Sequence, residues 1–282
     1  MKFYIVIPAH NEEVFISKTL QSLVEQTLIP SKIIVVNDNS TDDTQAIINS
    51  FSEKYNFIDS VNCSSSAQNI PGSKVINAFK EGFKKLDNDF DVICKFDADL
   101  IFPNNYIESI KTLFENNKNC GMAGGFCYIH KNNAWILENL TNKDHIRGAL
   151  KAYRKECYND IGGLKSDMGW DTVDELLAQF HGWNIQTDES LKVKHLKPTG
   201  ANYSKSSKYK QGEAFYKMRY GFWLSCIAIT KLAFNKKSVS FFINSLQGFF
   251  KAKSNKLSFI VSEEEGVFIR NLRWKGIKKK LF

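Results

Sequence analysis

Residues 91–99 read DVICKFDAD, a hydrophobic stretch that ends in two carboxylates, Asp97 and Asp99. An extended chain puts both on one face. Two like charges at the end of a buried strand cost stability unless a cation offsets them. A hard divalent ion, shared with diphosphate oxygens, is the natural remedy. Upstream, the same grammar recurs. Phe3–Ile7, Lys32–Asn37 and the weaker Asp59–Cys63 read as strands, while Glu13–Gln26, Asp42–Tyr55 and Val75–Lys85 carry helical patterns, with Ser40 or Thr41 as the expected N-cap of the second. Strands separated by helices imply βαβ units and an α/β fold, a mostly parallel sheet flanked by helices. Ligands of such sheets lie at the carboxyl ends of the strands. The decisive residues are therefore Pro8–Glu12, Asp38–Ser40 and Asp97–Asp99.

Beyond residue 121 the pattern loosens. MAGGFCYIH suggests a strand with a glycine kink, Gly148–Tyr158 a strand or helix start, Thr172–Phe180 a helix and Leu191–His195 a last strand. Pro198 and Gly200 suggest a boundary near residue 200, separating 1–200 from 201–282. Helices are expected at Gln211–Phe234 and Ser238–Ala252.

Charge divides the 282-residue chain in nearly the same place. Residues 1–191 hold 18 basic and 26 acidic side chains, net −8, and residues 192–282 hold 20 and 4, net +16. An acidic body thus precedes a basic, aromatic extension, which points that extension at an anionic partner. The 43% apolar content excludes disorder as the main state. The six cysteines form no CxxC pair or His-Cys cluster and read as small buried apolar residues. The first residues turn polar too early for a signal peptide core, and no run reaches the roughly 20 apolar residues of a spanning helix. A reducing cytoplasm is the compartment expected.

Asp38, directly after a strand, suits a hydrogen bond from a base imide or a ribose, or else a turn or cap role. Asp42 and Asp43 read as favourable first-turn charges.

IPAHNEE, VVNDNSTDDT, Lys74 before a helix, FDAD and YRKECYNDIGGL, in this order, resemble glycosyltransferase family 2, whose members have the GT-A fold. The resemblance covers about residues 3–200. It implies an inverting transfer from a nucleoside diphosphate sugar, UDP-sugar favoured, to a hydroxyl of a glycan or lipid-linked acceptor in cell-surface polysaccharide or glycolipid biosynthesis. It also implies that Pro8, Ala9, Asn11, Glu12, Asp38, Lys74, Asp97 and Ala98 hold the donor. Asp99, with Asp97 and His195, would bind Mg²⁺ or Mn²⁺. The family's base carries a glycine eleven residues downstream, a spacing that Asp171 and Gly182 reproduce. Trp170 replaces the usual Glu there, so Asp174 and Glu175 stay as rivals for the base. They also suit a solvated first helical turn. Trp170 could stack on an acceptor sugar or fill the core. Gly162 and Gly163 suit a tight approach beneath the acceptor, and Gly124 and Gly125 one beside the donor sugar.

The extension reads as interfacial helices, aromatic residues in the lipid boundary and lysines near anionic headgroups, which implies peripheral attachment to the inner face of the cell membrane. Nucleic acid is disfavoured as a partner, because no binding-module signature accompanies the charge. Two other readings remain: a nucleotidyltransferase acting on a sugar phosphate, and a non-catalytic membrane-surface binding protein.

Overall fold

A computed structural model describes residues 1–64, 72–138, 143–197 and 209–281. Pro198 and Gly200, on which the expected boundary rests, lie outside them. The described residues fall into two compact units. One holds 1–64, 74–138, 143–164 and 181–197; the other holds 72–73, 165–180 and 209–281.

In the first unit, strands β1 (Phe3–Ala9), β2 (Lys32–Asp38), β3 (Ile58–Cys63) and β4 (Val92–Phe96) pair in parallel in the order β3-β2-β1-β4. Helices α1 (Ile16–Val24), α2 (Thr44–Lys54) and α3 (Ser73–Phe83) connect them. β2 is buried along nearly its whole length, as a strand covered on both faces should be. From β4 onward the sheet is mixed. β8 (Leu150–Arg154) runs antiparallel to β4 and to β6 (Cys120–Lys131). β9 (Asn184–His195) is parallel to β6, and the two-residue β5 (Leu100–Ile101) closes that edge antiparallel to β9. β7 (Ala134–Leu137) pairs with β6 as a hairpin, while α4 (Tyr106–Asn116) and α5 (Lys155–Asp160) complete the unit.

The expected glycine kink is a register shift between Gly124 and Phe126 against β9. A Cβ on Gly125 would lie 2.4 Å from the Leu191 carbonyl oxygen, so close strand packing requires a glycine here. Tyr106 braces the irregularity. Its hydroxyl donates to Leu150 O (3.1 Å) and accepts from Gly125 N (3.2 Å).

The expected cap of α2 is displaced. Ser40 and Thr41 are engaged by Asn11, and Asp43 takes the N-cap position without a side-chain cap bond. Asp42 Oδ1 instead accepts from Thr44 N and Oγ1. Four cysteines are buried as expected, whereas Cys63 and Cys226 are half-buried.

The second unit is helical among its described residues: α6 (Trp170–Phe180), α7 (Lys210–Lys217), α8 (Gly221–Asn235), α9 (Val239–Ser254) and α10 (Glu263–Leu281). The single helix expected over Gln211–Phe234 breaks at Arg219, whose φ is +54°. Tyr220 N donates back to Phe215 O (3.1 Å), the six-to-one bond that closes a helix in a left-handed turn. Arg219 is held there by Val261 O, which accepts from its Nε (3.1 Å), and by the Phe259 ring 3.7 Å from its guanidinium. α7 and α9 cross closely, since a Cβ on Gly212 would sit 1.7 Å from Ser245 O. None of the helices among the described residues is long and apolar enough to cross a membrane.

Candidate active site

Parallel order places the carboxyl ends of β1, β2 and β4 side by side. The loops after β1 and β2 are tied together. His10 Nδ1 donates to Asp38 O (2.6 Å), Asn11 N to Ser40 Oγ (3.0 Å), Thr41 N to Asn11 Oδ1 (2.8 Å) and Glu12 N to Thr44 Oγ1 (2.8 Å). Asn11 and Asn39 both adopt positive φ, which asparagine tolerates better than most residues. The turn bond expected around Asp38 falls on its neighbour: Asn37 Oδ1 accepts from Ser40 N (3.1 Å). The buried Asp38 carboxylate lies 3.7 Å from the Cys63 thiol. Pro8 is half-buried and Ala9 buried where β1 ends, and Lys74 is half-buried in the first turn of α3.

The carboxylate pair sits in a turn instead of continuing the strand, so the extended geometry expected for it is replaced by a turn. The turn is pinned from behind. Thr19 Oγ1 donates to Ala98 O (2.7 Å) and accepts from Leu100 N (3.0 Å), and Asp97 N donates to Ala149 O (2.8 Å). The two carboxylates consequently have different partners. Asp97 forms an ion pair with Lys95, whose ammonium also donates to Gly148 O (3.0 Å). Lys95 is 2% exposed, a buried cation directed at a partly exposed carboxylate.

Asp99 turns toward His195. Leu100 stands opposite His195 in the β5–β9 pair, and Leu196 N donates to Asp99 O (2.9 Å). His195 Nε2 lies 3.5 Å from Asp99 Oδ2, while Nδ1 donates to Glu138 Oε2 (2.9 Å). The same Glu138 oxygen accepts from Arg147 Nη1 (2.8 Å). Burial lowers the His195 pKa, but Asp99 and Glu138 outweigh it and hold the imidazole up to about 9.

Among the described residues two buried carboxylate oxygens accept no hydrogen bond, Asp99 Oδ1 and Glu12 Oε2. Buried polar atoms are almost always satisfied, so this pair asks for a cation. Burial raises the Glu12 carboxyl above its usual range, Lys197 at 3.0 Å pulls the other way, and Asp99 and Asp97 add to the rise. Oxygen donors with one imidazole suit Mg²⁺ or Mn²⁺. A competing set, Cys127, Glu138 and His195, has ligand atoms within 4.8 Å of one another. It fits less well, because burial pushes the Cys127 thiol up to about 12 and Glu138 Oε2 already serves Arg147.

Lys95, Glu138, Arg147, Lys197 and Thr19 escaped the sequence reading. Only Lys95 carried a local signal, a charge inside an apolar strand two residues before Asp97.

In the helical unit, Asp174 and Glu175 are 2% and 7% exposed, so neither belongs to a solvated first turn. Asp171 is not buried, and Trp170 is buried as a core aromatic is. Gly163, in the first unit, has φ +68°, and its N donates to Tyr158 O (3.0 Å) just past α5.

Comparison with known proteins establishes the family and the fold. Residues 4–163 match the family model described as Glycosyl transferase family 2. Over 100 residues the chain is 44% identical to the probable glycosyltransferase YdaM of Bacillus subtilis, a stretch covering 35% of this chain and 23% of YdaM. S. aureus TarS 1–349, solved with UDP-GlcNAc, superposes with a TM-score of 0.57 at 18% identity, covering 78% of this chain and 65% of that one. PcManGT, a mannosyltransferase from Pyrobaculum calidifontis solved with GDP-Man and Mn²⁺, gives 0.57 at 13% identity over 100% of this chain and 81% of its own. At these identities the structural likeness establishes the fold, that of the GT-A glycosyltransferases.

Proposed function

We propose, since the chain belongs to glycosyl transferase family 2, that it transfers a sugar from a nucleoside diphosphate donor to an acceptor hydroxyl with inversion. The observation that carries the reading is the arrangement of Asp99 Oδ1 and Glu12 Oε2, two buried oxygens without hydrogen-bond partners at the edge where donors of open α/β sheets bind. A UDP-sugar is the preferred donor, in keeping with the ligand of TarS. The tied loops with Pro8, Ala9, Asn11, Glu12 and Asp38 would hold the nucleoside, and Lys74, Asp97 and Ala98 the ribose and diphosphate side.

Asp99 and His195, with Asp97 on the ribose side, would hold a divalent ion, which when bound supplies positive charge to the departing diphosphate. The chain's own groups do the rest. Asp171, the accessible carboxylate of the three on α6, takes the proton of the acceptor hydroxyl as its oxygen attacks C1 of the sugar. The bond from C1 to the diphosphate oxygen breaks, and the nucleoside diphosphate leaves. Trp170 supports Asp171 from the core, and Gly163 leaves room at the acceptor side. The acceptor is a glycan or a lipid-linked sugar of the cell surface, met at the inner face of the membrane. Residues 1–200 would provide the chemistry and 201–282 the attachment.

A thermal-shift screen of nucleoside diphosphates and nucleotide sugars, with and without Mn²⁺, tests the reading. Ligands bound only to the folded state raise its apparent stability. Stabilisation by a UDP-sugar that grows with Mn²⁺ is expected. Indifference to every nucleotide, or stabilisation by UTP with release of diphosphate from it, would overturn it.

A further inference from the structure

α8 and α9 form a helical hairpin. At its closed end Lys237 turns the chain with φ +48°, and Ser238 Oγ caps α9 by accepting from Phe241 N (3.2 Å). At its open end the Phe222 ring lies 5.1 Å from Trp223 and 5.7 Å from Phe250. Exposed apolar residues recur at the same spacing on both arms, i, i+4 and i+11: Trp223, Ile227 and Phe234 on α8, and Val239, Ile243 and Phe250 on α9. That spacing keeps each trio on one helix face. Trp223, Phe234 and Val239 are 73%, 83% and 76% exposed, so most of each side chain is open to solvent. Large apolar side chains exposed together on a helix face in this way mark an interaction surface.

Its charge selects the partner. Residues 221–262 contain six lysines and no acidic residue. A second copy of the same face would bring like charge against like charge, which disfavours self-association through it. An anionic bilayer meets both demands, apolar side chains entering the acyl boundary and ammonium groups reaching phosphates. Helices of 15 and 16 residues lie in that plane more readily than they span it.

We infer that the exposed face of the α8–α9 hairpin is a docking surface for anionic phospholipid bilayers, with Trp223, Phe234 and Phe250 as apolar anchors and Lys236 and Lys237 at the headgroups. The inference rests on the membrane placement proposed above and specifies the part of the molecule responsible for it.

Co-sedimentation of the full chain with phosphatidylglycerol–phosphatidylcholine vesicles tests it, with pure phosphatidylcholine vesicles and a single-stranded oligonucleotide as comparison arms. Binding to the anionic vesicles that weakens with salt is expected. Lys236→Gln with Lys237→Gln should weaken it about thirtyfold, and Trp223→Ser with Phe234→Ser should abolish it. Circular dichroism and nucleotide-dependent thermal shift should stay unchanged, because the replaced side chains are exposed. Undiminished vesicle binding by the serine variant overturns the inference. So does a wild-type dimer that the serine variant dissolves, or binding to the oligonucleotide in place of vesicles. Failure of the unmodified chain to bind the anionic vesicles, with sugar transfer intact in solution, removes the docking face alone. Vesicle binding without turnover of any nucleotide sugar removes the transferase reading and leaves the face standing.

Discussion

His195 donates from Nδ1 to the Glu138 carboxylate at 2.9 Å and thereby aims Nε2 at Asp99. A carboxylate behind a metal-binding imidazole fixes ring orientation and raises ligand basicity, and losing one typically costs about 10- to 100-fold in metal affinity. Glu138→Ala is expected to weaken Mn²⁺ binding by such a factor, measured by titration calorimetry. Glu138→Gln still accepts from Nδ1 and should recover most of the affinity. Equal losses in both variants would mean that Glu138 matters only to Arg147.

A pH dependence follows from the imidazole held up to about 9. Its folded-state pKa lies above the unfolded value of about 6.5, so the metal-free protein gains stability that is fully present below 6.5 and is lost as pH rises through 9. Metal binding at Nε2 requires the neutral ring and expels the proton. Mn²⁺ affinity should therefore climb between pH 7 and 9 and level off above, with proton release visible when calorimetry is repeated in buffers of different ionisation enthalpy. A flat profile would place the metal away from His195.

Asp99→Asn removes the charge beside His195 but keeps the side chain's shape. Turnover of a UDP-sugar is expected to fall by at least about 100-fold, the scale of losing one preorganised electrostatic group. His195 should return toward its ordinary pKa, visible by imidazole NMR. Full donor turnover with Mn²⁺ present would rule out the proposed metal site.

Tyr106→Phe tests the brace at the β6 irregularity. It leaves Leu150 O and Gly125 N buried without the hydroxyl that serves both, at a cost of about 1–3 kcal/mol. Denaturant unfolding would register the loss. An unchanged midpoint would mean that neighbours had taken over both bonds.

The parallel half of the sheet was legible because each strand carries its own signal: β2 reads KIIVVND and β4 VICKF, β-branched or apolar and followed by acids. Asp97, Asp99 and His195 could be placed at strand ends for the same reason, whereas their roles came from the family resemblance and the turn that holds the two carboxylates was not foreseen. Glu138 could not. It follows β7, a four-residue and mostly exposed strand, and reaches His195 across 57 positions through a β6–β9 pairing that no local pattern announces. β5 escaped likewise, since two residues make a strand only when β9 supplies the partner. The split of α7 from α8 was hidden because Arg219 occupies a conformation usually reserved for glycine, stabilised by distant Phe259 and Val261.

The bonds from His10, Asn11 and Glu12 to Asp38, Ser40, Thr41 and Thr44 make two loops one mechanical part. A nucleotide bound there, as proposed above, would have little left to order at these two loops. Its recognition would be that of a lock cut in advance, with rapid capture and a small entropic penalty on this side, and any slow closing step of the cycle would have to arise elsewhere in the chain.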